Sequence, residues 1–158
     1  MVSLIAGFAM IAFVVGMLIS NATAVENGAA HRALAENLVV QHRAANEWVM
    51  RNAVTNGNIP DRLNGQVTNM ADWRSRVMSA GDAVYIVTWS GANSQWEQVD
   101  LRRAVALIDP GQIASLPRSG VGLVDNARIG PVTVAGVALP VQNGDVAAVS
   151  VLAEDGEG

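Results

Sequence analysis

Among the residues of this chain, histidines are the clearest candidates for catalysis or metal binding. His31 and His42 are its two histidines, and they are eleven positions apart. On a helix that spacing puts them on one face but roughly 16 Å apart along the axis, since each residue rises about 1.5 Å. They cannot share a metal ion at that distance. We therefore expect a solvated helix face that carries two separate histidines.

The carboxylates are scattered, without the pairing that general acid–base catalysis requires. Several stand at caps or turns, where a structural role explains them. The carboxylates concerned are Asp72, Asp82, Glu97, Asp100, Asp109 and Asp125. Ser115 and Ser119 lack the G-x-S-x-G setting of a nucleophile elbow. These residues do not predict a catalytic site.

The composition excludes several classes of site. The 158 residues include no cysteine and no lysine. Disulfides, thiolate metal ligands, a cysteine nucleophile and a Walker-type phosphate loop are therefore excluded. A formal net charge of −4 offers no basic surface for nucleic acid. We expect no enzyme activity, no cofactor, no metal and no nucleic-acid partner.

A long amphipathic helix is predicted from Ala24 to about Asn56. Its apolar residues recur near helical spacing with charged residues between them; they are Leu34, Leu38, Ala45, Trp48 and Val49. Gly28 suggests a hinge within this helix. The sequence Asn56-Gly57-Asn58, followed by Pro60, predicts its end.

A second, shorter helix is predicted over MADWRSRVMSA, with Asn69 as its N-cap, Asp72 in the first turn and Gly81 after it. The next stretch, DAVYIVTWS, is rich in β-branched and aromatic residues and is typical of a strand. WEQVDLRRAVALI fits either a strand or a short helix, because the spacing of its apolar residues does not decide between them.

Short Val-rich strands are predicted from Gly120 onward. Turn signals at Asp125-Asn126 and Asn143-Gly144 separate them. Strands that follow helices predict an α+β domain with an antiparallel sheet. We expect the long helix to pack on this sheet, with Trp48 in the contact.

The chain begins with an uncharged apolar run from Val2 to Ile19. This length is close to the ~20 residues that a helix needs to cross a bilayer. Ala22-Thr23-Ala24 fits a signal-peptide cleavage site, but no basic residue precedes the run, and the run is longer than a usual signal-peptide core. We expect an uncleaved inner-membrane anchor, with a cleaved signal peptide and a buried helix as alternatives.

The predicted organisation is a transmembrane anchor at 1–24, an amphipathic helix at 25–56, an α+β domain at 57–152 and a flexible acidic tail at 153–158. We expect a single membrane pass with the C-terminal domain in the periplasm. Long domains translocate largely regardless of charge, and a small-x-small sequence after the run resembles an exported protein.

This plan is similar to that of type IV pilins, in which a hydrophobic N terminus continues into an amphipathic helix and then a small sheet. It departs from them at Ile5, where a mature pilin usually carries glutamate, and no basic leader ending in glycine precedes it. The closer resemblance is to the PilM family encoded with conjugative-plasmid thin pili. It lies in SLIAGFAMIAFVVGMLI at the start, and in VGLVDNARI followed by GVALPVQNGDVAAVSVL near the end.

The PilM resemblance implies a small inner-membrane protein of the pilus basal body or the pilin transport apparatus. We therefore expect a membrane-anchored assembly component that acts through protein–protein contacts, with pilus or secretion-machine subunits as partners. A homo-oligomer is left open. The alternatives are a cleaved, secreted binding domain and a minor pilin within the filament. Trp73, Trp96 and Arg103 are the candidate interface residues, because polar neighbours suggest that they face outward.

Overall fold

The computed structural model describes residues 2–60, 63, 68–108 and 118–153. In the first helix, the described side chains are those of Met17, Ala24 and the residues from Glu26 onward. The predicted acidic tail lies outside the described residues, apart from Ala153. Asp109 and Ser115 also lie outside them.

The first helix, α1, is continuous from Val2 to Asn52. It passes through Gly28 without a break, so the predicted hinge is wrong. A single glycine costs a helix only about 1 kcal/mol, and alanines follow it. The helix ends before the predicted Asn56, because Ala53 takes the left-handed conformation (φ 49°) that terminates helices. Within the part of the chain that the structure describes, no helix combines the length and apolarity needed to cross a membrane.

The predicted second helix is wrong, because this stretch forms a strand. The first strands are β1 (Gly57–Ile59), β2 (Trp73–Ala80) and β3 (Ala83–Ser90). Asp72 has a φ of 49°, which does not start a helix. The Asn69 side chain instead binds both the backbone N–H (2.6 Å) and the carbonyl (2.9 Å) of Trp73. Pairing with β3 along its whole length outweighs the local helical pattern of β2.

The remaining elements are α2 (Gln98–Val105), β4 (Ser119–Asp125), β5 (Arg128–Ile129), β6 (Val132–Thr133) and β7 (Val146–Ala153). The stretch WEQVDLRRAVALI, which fitted either a strand or a short helix, therefore contains a helix. This helix, α2, buries Leu101 and Ala104. The turn predicted at Asp125-Asn126 lies one residue later than expected. Asn126 and Ala127, both with positive φ, join β4 to β5.

The described residues form an α+β fold with a seven-stranded antiparallel sheet, in the order β1-β2-β3-β7-β4-β5-β6. The prediction of an α+β domain with an antiparallel sheet is confirmed. The C-terminal half of α1 packs on one face of the sheet, as expected, and α2 packs beside it. Trp48 packs against this contact, as expected, but it is only partly buried.

The opposite face of the sheet is covered by the β5–β6 hairpin and the irregular segment after it. Tyr85, Val87 and Val149 meet Ile129 and Val134 there. The hairpin folds tightly over β4, and glycines permit the approach. A Cβ at Gly120 would lie 2.6 Å from the Ile129 carbonyl oxygen. The sheet is thus enclosed between a helical layer and a loop layer.

Candidate functional site

His42 lies at the centre of the contact between α1 and the sheet. Its side chain is 1% exposed, at the i+4 position from the buried Leu38. The expectation of a solvated histidine is wrong here, because this position belongs to the stripe of α1 that the sheet covers. Asn46, at the next i+4 position, is equally buried. The stripe that contacts the sheet is therefore partly polar.

Both ring nitrogens of His42 have hydroxyl partners on the sheet. Nδ1 lies 2.8 Å from Thr88 Oγ1 on β3, and Nε2 lies 2.7 Å from Ser150 Oγ on β7. Thr88 Oγ1 in turn lies 2.8 Å from Ser75 Oγ on β2. We call His42, Asn46, Ser75, Thr88 and Ser150 the buried polar cluster. It connects the helix to three neighbouring strands of the sheet.

Burial lowers the pKa of His42 from 6.5 to about 4, and a backbone hydrogen bond with Val149 opposes the shift. The imidazole is therefore neutral near pH 7, since removing a charged ring from water is costly. A neutral ring donates from one nitrogen and accepts at the other. The two hydroxyls satisfy both nitrogens in either arrangement.

The contact between Ser150 and His42 has the distance of a nucleophile and its general base. Access decides against that chemistry, because Ser150 is 0% exposed and His42 is 1% exposed. The cluster instead joins the helix to the sheet. The Asn46 amide donates to the His42 carbonyl at 2.8 Å, while its Oδ1 is buried without a hydrogen-bond partner among the described residues.

The other histidine, His31, joins the two helices. Its Nε2 lies 3.0 Å from Asp100 Oδ1 on α2, and its side chain is largely buried. The expectation of a solvated histidine is therefore wrong for His31 as well. The structure does not bring the two histidines together, since each has its own partners.

Trp73 is a core residue with 3% exposure, so the expectation that it faces outward is wrong. It stands on the helix-facing side of β2 and packs with Leu38 and Leu101 between the two helices. Its indole Nε1 donates to Asn37 Oδ1 at 3.0 Å. Polar neighbours in sequence do not report the face on which a strand residue lies, because successive side chains alternate between faces.

The other candidate interface residues are more accessible than Trp73. Trp96 is half-buried against the same apolar cluster, and its Nε1 donates to the Met70 carbonyl at 3.0 Å. Arg103 keeps 65% of its side chain exposed, and its Nη1 lies 3.9 Å from Asp100 Oδ1. Arg103 is therefore the most exposed of the three candidate interface residues.

The described ionisable side chains do not assemble a metal site. No group of three or more histidine, aspartate or glutamate residues lies close enough among the described residues to hold an ion. Asp72 forms an ion pair with Arg74 (2.7 Å) beside the start of β2. The Asp72 carboxylate therefore serves an internal contact of the fold.

A surface groove of about 420 Å³ lies where α1 ends on the sheet. We call it the α1-end groove. Its lining includes Val49, Met50, Val54, Asp82, Val84 and Leu152. The walls are mainly aliphatic, and the β2–β3 turn forms part of the rim.

The buried polar cluster was not predicted, although the sequence contains a signal for it. His42 and Asn46 continue the i+4 series of Leu34 and Leu38. Thr88 alternates with Ile86 along a strand, which places both on one face. A polar residue at a position that the pattern assigns to the core indicates a buried polar contact.

Comparison of the chain with protein-family models, with curated proteins and with solved structures finds no match.

Proposed function

We propose that the chain is a membrane-anchored assembly component of a type IV pilus apparatus of the conjugative thin-pilus kind. It acts through protein–protein contacts. In this proposal the uncharged run from Val2 to Ile19 holds the protein in the inner membrane. The sheet domain lies in the periplasm, where it contacts pilus or secretion-machine subunits.

The observation that carries the proposal is the continuity of α1. One helix joins the uncharged run to the part that packs on the sheet. The described side chains at Met17, Ala24 and 26–29 are exposed, whereas Leu34 is fully buried. The stretch before Leu34 is about 48 Å long at ~1.5 Å per residue. A rigid element of this kind suits a protein that holds a folded domain at a set distance from a membrane.

A scaffold role is also supported by how the polar groups are used. The His42, Thr88 and Ser150 side chains of the buried polar cluster are shielded from solvent, and His31 and Asp100 bind each other between the helices. These polar side chains hold the elements of the fold together. The energy of an assembly interface is concentrated instead in a few anchor residues on the surface.

The resemblance to PilM proteins is the basis for naming a pilus apparatus. VGLVDNARI lies across β4 and β5, and DVAAVSVL lies across β7. β4 and β7 are hydrogen-bonded neighbours in the sheet. The family-like segments near the C terminus therefore form one continuous part of the fold.

Membrane fractionation of the full chain in a Gram-negative host tests the proposal. We expect the intact mass in the inner-membrane fraction, and protease added to spheroplasts should degrade the sheet domain. Ala12→Arg should release much of the protein, since a central charge costs about 2.5–3.5 kcal/mol on insertion scales. Ala29→Arg is the matched control, because Ala29 is exposed beyond the run; it should leave the protein in the membrane.

A soluble product that starts at Val25 would overturn the proposal and support a cleaved, secreted binding domain. One observation favours this alternative. Ala22-Thr23-Ala24 precedes the first buried residues of α1, so cleavage there leaves the packed part of the helix intact. Recovery of the chain from purified filaments would instead indicate a minor pilin.

A further inference from the structure

We propose that the α1-end groove binds an extended segment of a partner protein that presents an apolar side chain beside an arginine or lysine. This inference rests on the proposed function, because it names the kind of segment through which an assembly partner is held. It is carried by the shape of the groove, its free strand edge and its charge.

The apolar part of the groove arises because α1 ends before the sheet does. Val84 and Leu152 are paired neighbours on the face that α1 covers, yet both are only half-buried. Val49 is buried, and Met50, one residue further along the helix, is 59% exposed. A volume of about 420 Å³ lies within the range of ligand pockets. It can accept an aliphatic side chain from outside.

A free strand edge runs along the same site. β1 pairs with β2 only from Ser75 to Val77. On the side of β2 that faces away from β3, the edge from Met78 to Ala80 has no strand partner among the described residues. Ser79 on this stretch lines the groove. An extended segment can add hydrogen bonds to such an edge while its side chains enter adjacent pockets.

The charge around the groove selects a cation. The last carbonyls of α1 carry the negative end of the helix dipole. Asp82 is exposed on the rim, and no described residue forms an ion pair or hydrogen bond with its carboxylate. The described lining contains no arginine, and nearby Arg51 binds Glu47 at 3.0 Å.

The negative charge of the rim also decides between the possible occupants. A second copy of this chain would bring one acidic groove against another, and an anionic lipid surface would be repelled. A basic segment of a different protein is the occupant with complementary charge.

Fluorescence anisotropy with two labelled peptides tests the inference on the full chain in a non-ionic detergent. One peptide alternates leucine with arginine, and the other alternates leucine with glutamate. We expect saturable binding of the basic peptide only. Asp82→Lys should weaken it about fivefold or more, since it replaces an attraction between exposed charges by a repulsion. Met50→Ser should weaken it by a smaller factor.

Asp125→Lys is the matched control. It makes the same charge change at an exposed aspartate beside the β4–β5 turn, away from the groove. Equal weakening by Asp82→Lys and Asp125→Lys would overturn the inference, because binding would then reflect net charge alone. Equal binding of the acidic peptide would overturn it as well. Self-association that Asp82→Lys abolishes would identify a second copy as the occupant and reject the partner segment.

The two proposals fail in different experiments. A secreted, soluble chain that still binds the basic peptide through Asp82 would reject the membrane-anchored function and keep the groove. An anchored chain that does not bind the basic peptide would reject the groove and leave the anchor standing. Circular dichroism of each variant verifies that the fold is intact before its binding is compared.

Discussion

The two faces of the sheet are built from the same strands and both make apolar contacts, but the helix-covered face adds side-chain hydrogen bonds to α1. The helix-covered face carries Thr88 and Ser150, which bind His42. The opposite face carries Val87 and Val149 among other apolar side chains. Apolar burial is non-directional, whereas hydrogen bonds require particular distances and angles. The difference suggests that the hydrogen bonds set the position of α1 along the sheet, and that the other face supplies general cohesion.

This contrast fits the way in which each face is covered. The opposite face is covered by a hairpin and a loop that follow β4 directly in the chain, so short connections already restrict their position. The helix is distant in sequence from β7, and His42 and Ser150 are 108 residues apart. A long-range contact gains more from directional bonds, because the chain alone does not set its register.

The largest expected effect is at Trp73, on the helix-covered face. Trp73→Ala should lower the free energy of unfolding by about 3–5 kcal/mol, as large-to-small core changes do. Trp48→Ala should cost less, because Trp48 is only half-buried. Urea denaturation of both variants measures the difference. Equal losses would show that burial in the folded state does not separate the two tryptophans.

The pH dependence of stability should follow His42. Its pKa is lowered from 6.5 to about 4 in the folded state, so the unfolded chain binds the proton more tightly. Stability is therefore full above pH 6.5 and falls as the pH drops towards 4, by about 3 kcal/mol from this residue. His42→Gln keeps hydrogen-bonding groups but does not titrate. Its unfolding free energy should change less between pH 7 and pH 4, and an identical loss in both proteins would contradict the assignment.

Two neighbouring residues of β3, Val87 and Thr88, lie on opposite faces of the sheet, so a matched substitution can be made on each face. Thr88→Val leaves His42 Nδ1 without its partner, and Val87→Thr buries a hydroxyl on the apolar face. Each should cost about 1–3 kcal/mol, the usual penalty for an unsatisfied buried polar group. Thermal unfolding of the single variants measures these costs. A harmless Thr88→Val would show that the polar contact contributes nothing to the attachment of the helix.

The smallest effect on stability is expected at Arg103, outside both faces. Arg103→Ala should change the free energy of unfolding by less than about 0.5 kcal/mol, because the side chain is mostly exposed. If Arg103 is an interface residue, recovery of partner proteins from detergent extracts should nevertheless fall. Arg128→Ala is a suitable control, since Arg128 is an exposed arginine on β5. Unchanged recovery with Arg103→Ala would remove Arg103 from the interface.

Local pattern was enough to predict several elements of the fold. The i+4 series through Leu34 and Leu38 identified the packed part of α1, and the β-branched run before Gly91 identified β3. The local pattern of β2 predicts the wrong element, because Asn69 and Asp72 resemble the start of a helix. Their side chains instead hold a loop, with Asn69 bound to Trp73 and Asp72 to Arg74. Capping residues also stabilise turns, so their presence alone does not distinguish the two.

The sequence by itself determined that the chain combines helices with an antiparallel sheet, that it lacks cysteine and lysine chemistry, and that an uncharged apolar run lies at its start. Only the tertiary structure decided which polar residues are buried. The sequence predicts a solvated His42, but His42 is buried because α1 packs on the sheet. It predicts an exposed Trp73, but Trp73 is buried because the helices cover it. Periodicity reports which side chains share a face of one element. Burial depends on a second element that covers that face, and here that element is distant in the chain.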